Sequence, residues 1–144
     1  GCDTDSMIEQ FVDVATIDST PATPMVTFVV HPEGGGPHPL VLFLMDAPGM
    51  REEIRDMARR LATSGYYVMA PHLYYRDVSE YNVFETGDRD RMFELMTRLT
   101  NDMIVDDARA LIAHADADPA AAAERVGAVG YCMSGPFAVW VAAE

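Results

Sequence analysis

The sequence has few basic residues, few cysteines and no long apolar run, and each shortage narrows the possible function. Ten lysine and arginine residues stand against 23 aspartate and glutamate residues, which gives a formal net charge of −13. A surface of that sign repels polyanions, so neither nucleic acid nor an anionic membrane is expected as a partner. No stretch of about 18 apolar residues occurs, so we expect no transmembrane helix.

The two cysteines, Cys2 and Cys132, are too few to form a disulfide framework. This low count favours a reducing, cytoplasmic setting. The first ten residues lack the basic and apolar regions of a secretory signal peptide. By length the chain is one domain, and we expect residues 1–6 to be a tail and residues 7–144 to belong to the domain.

Motifs for metal ions and nucleotide cofactors are also missing from the sequence. The four histidines are not at the spacing of metal ligands, and no Cys/His cluster occurs. No Gly-x-Gly-x-x-Gly follows the first predicted strand, which argues against a nicotinamide or flavin cofactor. We therefore expect neither a metal nor a cofactor.

Hydrophobic periodicity predicts a chain of the α/β class. Alternating or β-branched stretches predict strands over 11–17, 24–32, 39–45, 66–71 and 125–131. Helical spacing predicts helices from Met50 onward, over 88–99 and 102–115 with a kink near 100–101, and over 136–144. A hairpin followed by alternating strands and helices predicts a mostly parallel sheet with helices on both faces.

Three further predictions concern the segments beside these elements. Arg51 falls on the polar, water-facing side of the first predicted helix. Residues 72–87 are irregular and rich in aromatic side chains, which suits either a loop that caps a pocket or a satellite of the core. Residues 118–124, with their run of alanines, are expected to be a connection.

The stretch Gly130-Tyr131-Cys132-Met133-Ser134-Gly135 has the pattern of a nucleophile elbow, Gly-x-nucleophile-x-small. In such a turn from strand to helix, the amino end of the helix lies behind the nucleophile and favours a thiolate and a developing oxyanion. The alternative is that Cys132 is a buried cysteine that only packs. The predicted strand before it and helix after it favour the functional interpretation.

A wider match extends this pattern along the chain. GYCMSG resembles the GYCxGG elbow of the dienelactone hydrolase family, a cysteine branch of the α/β-hydrolases. LVLFLMDAPGM is similar to the third strand and following loop of that family, and APHLYYR to its fourth strand and the arginine after it. DARALIAHA and RVGAVGYCMSG follow in the expected order. The resemblance implies an α/β-hydrolase fold, of which this chain would hold the first five strands and the elbow helix.

The resemblance also implies the roles of five residues. Cys132 would attack the carbonyl of a small lactone or ester and form an acyl-enzyme. The backbone N–H groups of Ala47 and Met133 would form the oxyanion hole. Arg76 would anchor a carboxylate of the substrate. Asp46 falls where the family has a glutamate that assists the thiol. The implied substrate is a small, planar, anionic compound.

The sequence departs from the family pattern at three positions. Asp46 is one methylene shorter than the family's glutamate, Ser134 replaces a glycine in the elbow, and His72 stands where an aspartate is usual. His72 is also the one histidine expected at the same edge of the sheet as Cys132. A polar loop role is the commoner one for such a residue, and we favour it over a role as replacement base.

The partners of Cys132 are missing from the sequence that follows it. A thiolate in this fold needs a histidine base and an orienting acid, both later in the chain than the nucleophile. The twelve residues after Cys132 contain neither histidine nor aspartate. We expect a missing C-terminal part of the same domain, beyond Glu144, to supply them. The alternatives are a non-catalytic α/β-hydrolase scaffold and a redox-sensing thiol at Cys132.

Overall fold

The computed structural model of the protein describes residues 6–46 and 48–130. Strands and helices alternate along this part as the hydrophobic periodicity predicted. In chain order the elements are β1 Met7–Val14, β2 Met25–Pro32, β3 His38–Leu44, α1 Glu52–Thr63, β4 Tyr67–Pro71, α2 Val83–Thr86, α3 Arg89–Arg98, α4 Asn101–Asp116 and β5 Ala121–Gly130. The last predicted helix, 136–144, lies outside the described residues.

The five strands form one mixed sheet in the order β1-β2-β4-β3-β5. β2 is antiparallel to both of its neighbours, β1 and β4. β3 is parallel to β4 on one side and to β5 on the other. The carboxyl ends of β3, β4 and β5 therefore meet at one edge of the sheet, which is where open α/β sheets carry their sites.

Helices cover both faces of this sheet, as predicted. On one face α1 buries Ile54, Ala58 and Ala62 against alternate strand residues that include Phe28, Val41, Phe43 and Val68. On the other face α4 buries Ala108, Leu111 and Ala115 against the intervening residues, among them Val29, Leu40, Leu42 and Met69. Because successive strand residues point to opposite faces, the covered strands β2, β3 and β4 are mainly apolar on both faces, and the polar residues Thr27, His31 and His38 in β2 and β3 are buried as well.

The kink predicted near residues 100–101 is a complete break between α3 and α4. Leu99 is extended at the end of α3, and Thr100 caps α4 by accepting a hydrogen bond from the Met103 backbone N–H at 3.2 Å. Asp88 caps α3 in the same way through the Arg91 N–H, at 2.9 Å. These side chains satisfy amide groups that the first helical turn leaves without a partner.

Beside shifts of one or two residues, such as the start of α1 at Glu52 and not at Met50, three elements differ more from the predictions. β1 begins four residues earlier than expected because it pairs with β2 along its whole length, from Met7 opposite Pro32 to Val14 opposite Met25. α2 lies inside 72–87, which was expected to be irregular; Asn82 caps it, and Gly87 ends it with φ +69°. β5 takes in the alanines from Ala121 onward, which were expected to be a connection.

The alanine run of β5 is a strand because of its neighbour and not because of its own propensity. Alanine is depleted in strands. His38 and Pro39 pair with Ala121 and Ala122, and after a shift in register Leu40 pairs with Val126. The parallel pairing with β3 therefore overrides the local preference.

Gly49 is held in a backbone conformation that other residues avoid. Its φ is +102°, and a Cβ built on it would lie 2.2 Å from the carbonyl oxygen of Tyr81. Gly65 has a similar φ of +98°, but a Cβ there would meet nothing within 4 Å. Both glycines would give a new side chain the strain of a positive φ, but only Gly49 would add a steric clash. Comparing substitutions at the two positions therefore distinguishes the two costs.

We expect Gly65→Ala to lower the free energy of unfolding by about 1–2 kcal/mol, the cost of a side chain at positive φ. Gly49→Ala should cost about 3 kcal/mol or more, because the collision with Tyr81 adds to the same strain. Urea unfolding followed by circular dichroism measures both values. Equal losses for the two variants would contradict the close approach at Gly49.

Candidate active site

The carboxyl edge of the sheet brings three candidate segments together. Asp46 lies two residues after the end of β3, and His72 directly follows β4. Gly130, the last residue of β5, pairs with Leu44 at the end of β3. Ala47, Cys132 and Met133 lie outside the described residues, so their predicted roles stay predictions.

Asp46 is engaged by a neighbouring arginine on its own loop. The Nη1 and Nη2 atoms of Arg51 donate to the two carboxylate oxygens of Asp46 at 2.6 and 3.0 Å. Both side chains are largely shielded, with 14% of Asp46 and 12% of Arg51 exposed. A two-bond pair of this kind fixes the orientation of the carboxylate as well as its charge.

Arg51 was expected on the water-facing side of α1, and that expectation was wrong. The residue precedes the helix in an extended conformation, with φ −158° and ψ 175°, so helical spacing does not describe it. Its side chain turns back over the loop, donates to the carbonyl of Gly49 at 2.9 Å and lies 5.2 Å from the ring centre of Phe84. The sequence indication for this contact was an acidic and a basic residue, Asp46 and Arg51, five positions apart on either side of a Pro-Gly turn.

Arg76 joins three separate parts of the fold. Its guanidinium donates to both oxygens of Asp107 on α4 at 2.9 and 2.8 Å, and its Nε donates to Asp18 in the loop after β1 at 2.8 Å. It also lies 4.6 Å from the ring centre of Tyr75. The predicted anchoring of a substrate carboxylate by Arg76 is untested, and the structure gives this side chain two carboxylate partners already.

Asp107 is the buried member of this network, with 1% of its side chain exposed. Burial raises the pKa of Asp107, while hydrogen bonds from Arg76 and Tyr75 act in the opposite direction. The Tyr75 hydroxyl donates to Asp107 at 2.7 Å and lies 2.6 Å from the Thr16 hydroxyl. In the sequence, 102–115 has the spacing of an ordinary amphipathic helix, in which Asp107 does not stand out.

His72 is buried at the end of β4. Its Nε2 donates to the carbonyl of Val78 at 3.0 Å, and its Nδ1 is buried with no hydrogen-bond partner among the described residues. Burial lowers the pKa of His72, so the imidazole is neutral at pH 7. The predicted polar role in a loop fits the bond to Val78.

The other three histidines lie away from this edge. His31 is next to the last residue of β2 and stacks on Tyr67 with ring centres 4.9 Å apart. His38 begins β3, at the opposite end from Asp46. His114 lies in the last turn of α4. His72 is therefore the one histidine at the carboxyl edge.

The aromatic segment 72–87 packs mainly as a satellite of the core. Tyr74 and Tyr81 are buried in a cluster with Leu44, Leu73 and other apolar residues, and their rings meet edge to face. Tyr75 is buried beside Arg76. Phe84 differs, since 72% of it is exposed.

A cleft of about 1000 Å³ adjoins the same edge on the α1 face of the sheet. Phe11 and Phe28 of the first two strands line one part of it, and Arg51 and His72 line another. Neither Asp46 nor Arg76 is among the described residues that line it. Within the described ranges, no three His, Cys, Asp or Glu side chains are gathered as metal ligands would be.

Comparison with known proteins places the chain in a family. A family model described as "Dienelactone hydrolase family" matches residues 25–144. This chain belongs to the dienelactone hydrolase family. The resemblance noted from the sequence is thereby confirmed, and the match includes both the Asp46 loop and the elbow segment.

Individual relatives agree with this assignment. A "Putative carboxymethylenebutenolidase" of Methylorubrum extorquens is 34% identical over 106 residues, which are 72% of this chain and 35% of the relative. A protein of the same name from Synechocystis is 30% identical over 112 residues, covering 75% of this chain and 44% of the relative. The chain thus spans less than half of these dienelactone hydrolase family members.

A solved structure confirms the fold. The "Putative Dienelactone Hydrolase" of Klebsiella pneumoniae superposes with a TM-score of 0.77 at 26% identity, over 90% of this chain and 51% of that one. The predicted α/β-hydrolase fold is therefore correct. Within the described residues, none of the helices has the length and apolar character that crossing a membrane requires.

The Arg76–Asp107 pair gives a test of what Arg76 does. Arg76→Met should lower the free energy of unfolding by about 3 kcal/mol, because it leaves the Asp107 carboxylate buried without its partner. Adding Asp107→Asn to that variant should recover part of the loss, since no unpaired charge then remains. Chemical unfolding of the two single variants and the double variant measures the coupling. Wild-type stability in Arg76→Met would contradict a structural role for the pair.

His72 predicts a pH dependence of stability with a defined sign. Since burial holds its pKa in the folded protein below the ordinary value, the unfolded chain binds a proton first as the pH falls below about 6.5. The folded state then loses stability, by at most about 1.4 kcal/mol per pH unit for one group. His72→Gln should flatten this decline between pH 6.5 and 5.5 in urea unfolding, whereas His114→Gln is the control. An unchanged slope in His72→Gln would contradict the assignment.

Proposed function

We propose that this member of the dienelactone hydrolase family hydrolyses small lactones and esters with Cys132 as nucleophile. The observation that carries the proposal is the pairing of Leu44 with Gly130 at the carboxyl edge of the sheet. Asp46 and Cys132 each follow this pair by two positions in the sequence. The elbow pattern and the loop with the candidate oxyanion donor therefore both begin from neighbouring strand ends.

The reaction has two steps. The general base takes the proton of the Cys132 thiol, and the thiolate attacks the carbonyl carbon. The C–O bond of the ester or lactone then breaks to give a thioester, and the leaving oxygen takes the proton from the base to become an alcohol group. Water then attacks the thioester, releases the acid and restores the thiol. Backbone N–H groups of Ala47 and Met133 stabilise the negative oxygen in both steps, and loss of one such donor costs about 3–4 kcal/mol.

The general base is proposed to come from the part of the domain that follows Glu144. His31 and His38 lie at the opposite edge of the sheet, and His114 lies in the last turn of α4. His72 uses Nε2 on the Val78 carbonyl. The relatives are longer than the matched region, which leaves room for a histidine and its acid.

The proposed substrate is a small ester or lactone with a carboxylate. The name of the relatives, carboxymethylenebutenolidase, is that of an enzyme whose substrate is a lactone with such a group. Arg76 remains our candidate for contacting it. Asp107 is buried, but 46% of the Asp18 side chain is exposed. A substrate carboxylate would replace Asp18 at the Nε of Arg76 and leave the pair with Asp107 intact.

One observation favours a second function, a non-catalytic binding scaffold of the same fold. The Asp46 carboxylate, which falls where the family has its thiol-assisting glutamate, is bound by Arg51 through both oxygens. We favour the hydrolase because the elbow pattern and the family match coincide. From the low cysteine content we also propose a cytoplasmic location, and we take residues 1–6 as a tail.

The two functions are separated by changing each cysteine in the full-length protein. Cys132→Ala should lower kcat for p-nitrophenyl acetate and for a dienelactone by at least about 1000-fold, because the nucleophile is lost. Cys2→Ala is the matched control and should keep wild-type activity. Turnover that survives in Cys132→Ala would rule out the proposed nucleophile, and a wild-type protein without turnover would favour the scaffold.

A further inference from the structure

The side chain of Arg51 occupies a position that helix energetics do not favour. The residue stands at the N-cap of α1 and makes no capping hydrogen bond with its side chain. Serine, threonine, aspartate and asparagine are the usual caps, and the amino end of a helix carries partial positive charge. The Arg51 side chain therefore caps no amide group of α1, and its short hydrogen bonds are made to other residues.

The hydrogen bonds of its side chain lie on the loop between β3 and α1, beside a longer ion pair with Glu53 at 3.6 Å and the Phe84 ring at 5.2 Å. Arg51 binds both carboxylate oxygens of Asp46 and also the carbonyl of Gly49. Its neighbour on the helix, Arg55, instead pairs with Glu52, whose side chain is 58% exposed. Arg51 therefore differs from an ordinary surface arginine in joining the two ends of one short loop.

The loop also contacts the start of α2 and the residue Tyr81 before it. The Val83 N–H donates to the carbonyl of Pro48 at 2.9 Å, and Gly49 packs against the backbone of Tyr81. Within the loop the Gly49 N–H donates to the carbonyl of Asp46 at 3.1 Å. That carbonyl belongs to the planar peptide group whose N–H is that of Ala47. The Asp46 carbonyl is thus held from within its own loop.

We propose that Arg51 is a positioning residue for the oxyanion hole, acting through Asp46 and Gly49 on the peptide group of Ala47. The inference rests on the proposed function above and deepens it. Under this proposal Asp46 has a different role from the family's glutamate. Its carboxylate binds Arg51, which also binds the Gly49 carbonyl, and it does not act on the thiol. We call this set of contacts, from Asp46 through Arg51 to Gly49, the clamp. The shorter side chain suits this task, because it keeps the carboxylate on its own loop.

The test uses three variants of the full-length protein: Arg51→Met, Arg51→Lys and, as matched control, Arg55→Met. We expect Arg51→Met to lower kcat for p-nitrophenyl acetate by about 10–100-fold. This loss is smaller than that caused by removing an oxyanion donor, because the donor is still present but less well oriented. KM should stay within about threefold of the wild-type value, because ground-state binding is not changed. Arg51→Lys should recover part of the rate, because an ammonium reaches one oxygen but cannot form the fork. Arg55→Met should behave as wild type.

A second measurement separates positioning from activation of the thiol. The rate of alkylation by iodoacetamide, measured in proteins that also carry Cys2→Ala so that Cys132 is the cysteine that reacts, depends on the Cys132 thiolate and needs no oxyanion hole. Its pH dependence should be the same in Arg51→Met and wild type. A shifted pH dependence would mean that the Asp46–Arg51 pair acts on the thiol, and wild-type kcat in Arg51→Met would mean that it has no role in the reaction. Either result overturns the proposal.

Hydrogen exchange tests the clamp independently of activity. In Arg51→Met, the peptide covering 46–51 should exchange faster, while a peptide from α4 should be unchanged. If exchange in 46–51 is unchanged, the clamp is wrong even if the protein is a hydrolase. If the wild type shows no turnover but exchange rises as expected, the proposed function fails while the clamp stands.

Discussion

The parallel pairing of β3 with both β4 and β5 is the constraint on which the rest of the site depends. It directs three strand ends to one edge and sets Leu44 beside Gly130, so that the segments after these strands begin side by side. β3 is covered by α1 on one face and α4 on the other, so its position is fixed from four directions. Because this central strand is held rigidly, the short loops that follow the strands can hold functional groups in defined positions.

Two ion pairs hold the loops at this edge in fixed positions relative to the sheet and to α4. Arg51 and Asp46 close the loop after β3, while Arg76 and Asp107 tie the segment after β4 to α4. Both pairs are shielded from water and joined by two hydrogen bonds each, which fixes orientation as well as distance. Asp46 and Arg76, the two side chains expected to act on the thiol and on the substrate, are thus each held by a charged partner within the fold.

The sequence predicted what depends on local periodicity. The alternation of strands and helices, the coverage of both faces and the break before Asn101 all follow from apolar spacing and capping residues. What it missed depends on partners far along the chain. The strand at Ala121–Ala123 exists because β3 pairs with it, and nothing in Asp107 itself indicates that Arg76 and Tyr75 will enclose it. Arg51 was misplaced because helical spacing was extended to Met50, two residues before α1 begins at Glu52. Assistance of the Cys132 thiol by Asp46, the role of the family's glutamate at that position, depends on where two loops meet and not on spacing along the chain.

The close approach of Gly49 to Tyr81 has a consequence for how such sequences can diverge. The backbone of the segment before α2 fills the space that a side chain at position 49 would need. Because the nearest atom is the Tyr81 carbonyl oxygen, no substitution at position 81 would make that space, although more than thirty residues separate the two positions. A descendant that acquired a side chain at 49 would have to move the backbone at 81, so glycine at 49 is required by the path of a distant segment and not by its own turn alone.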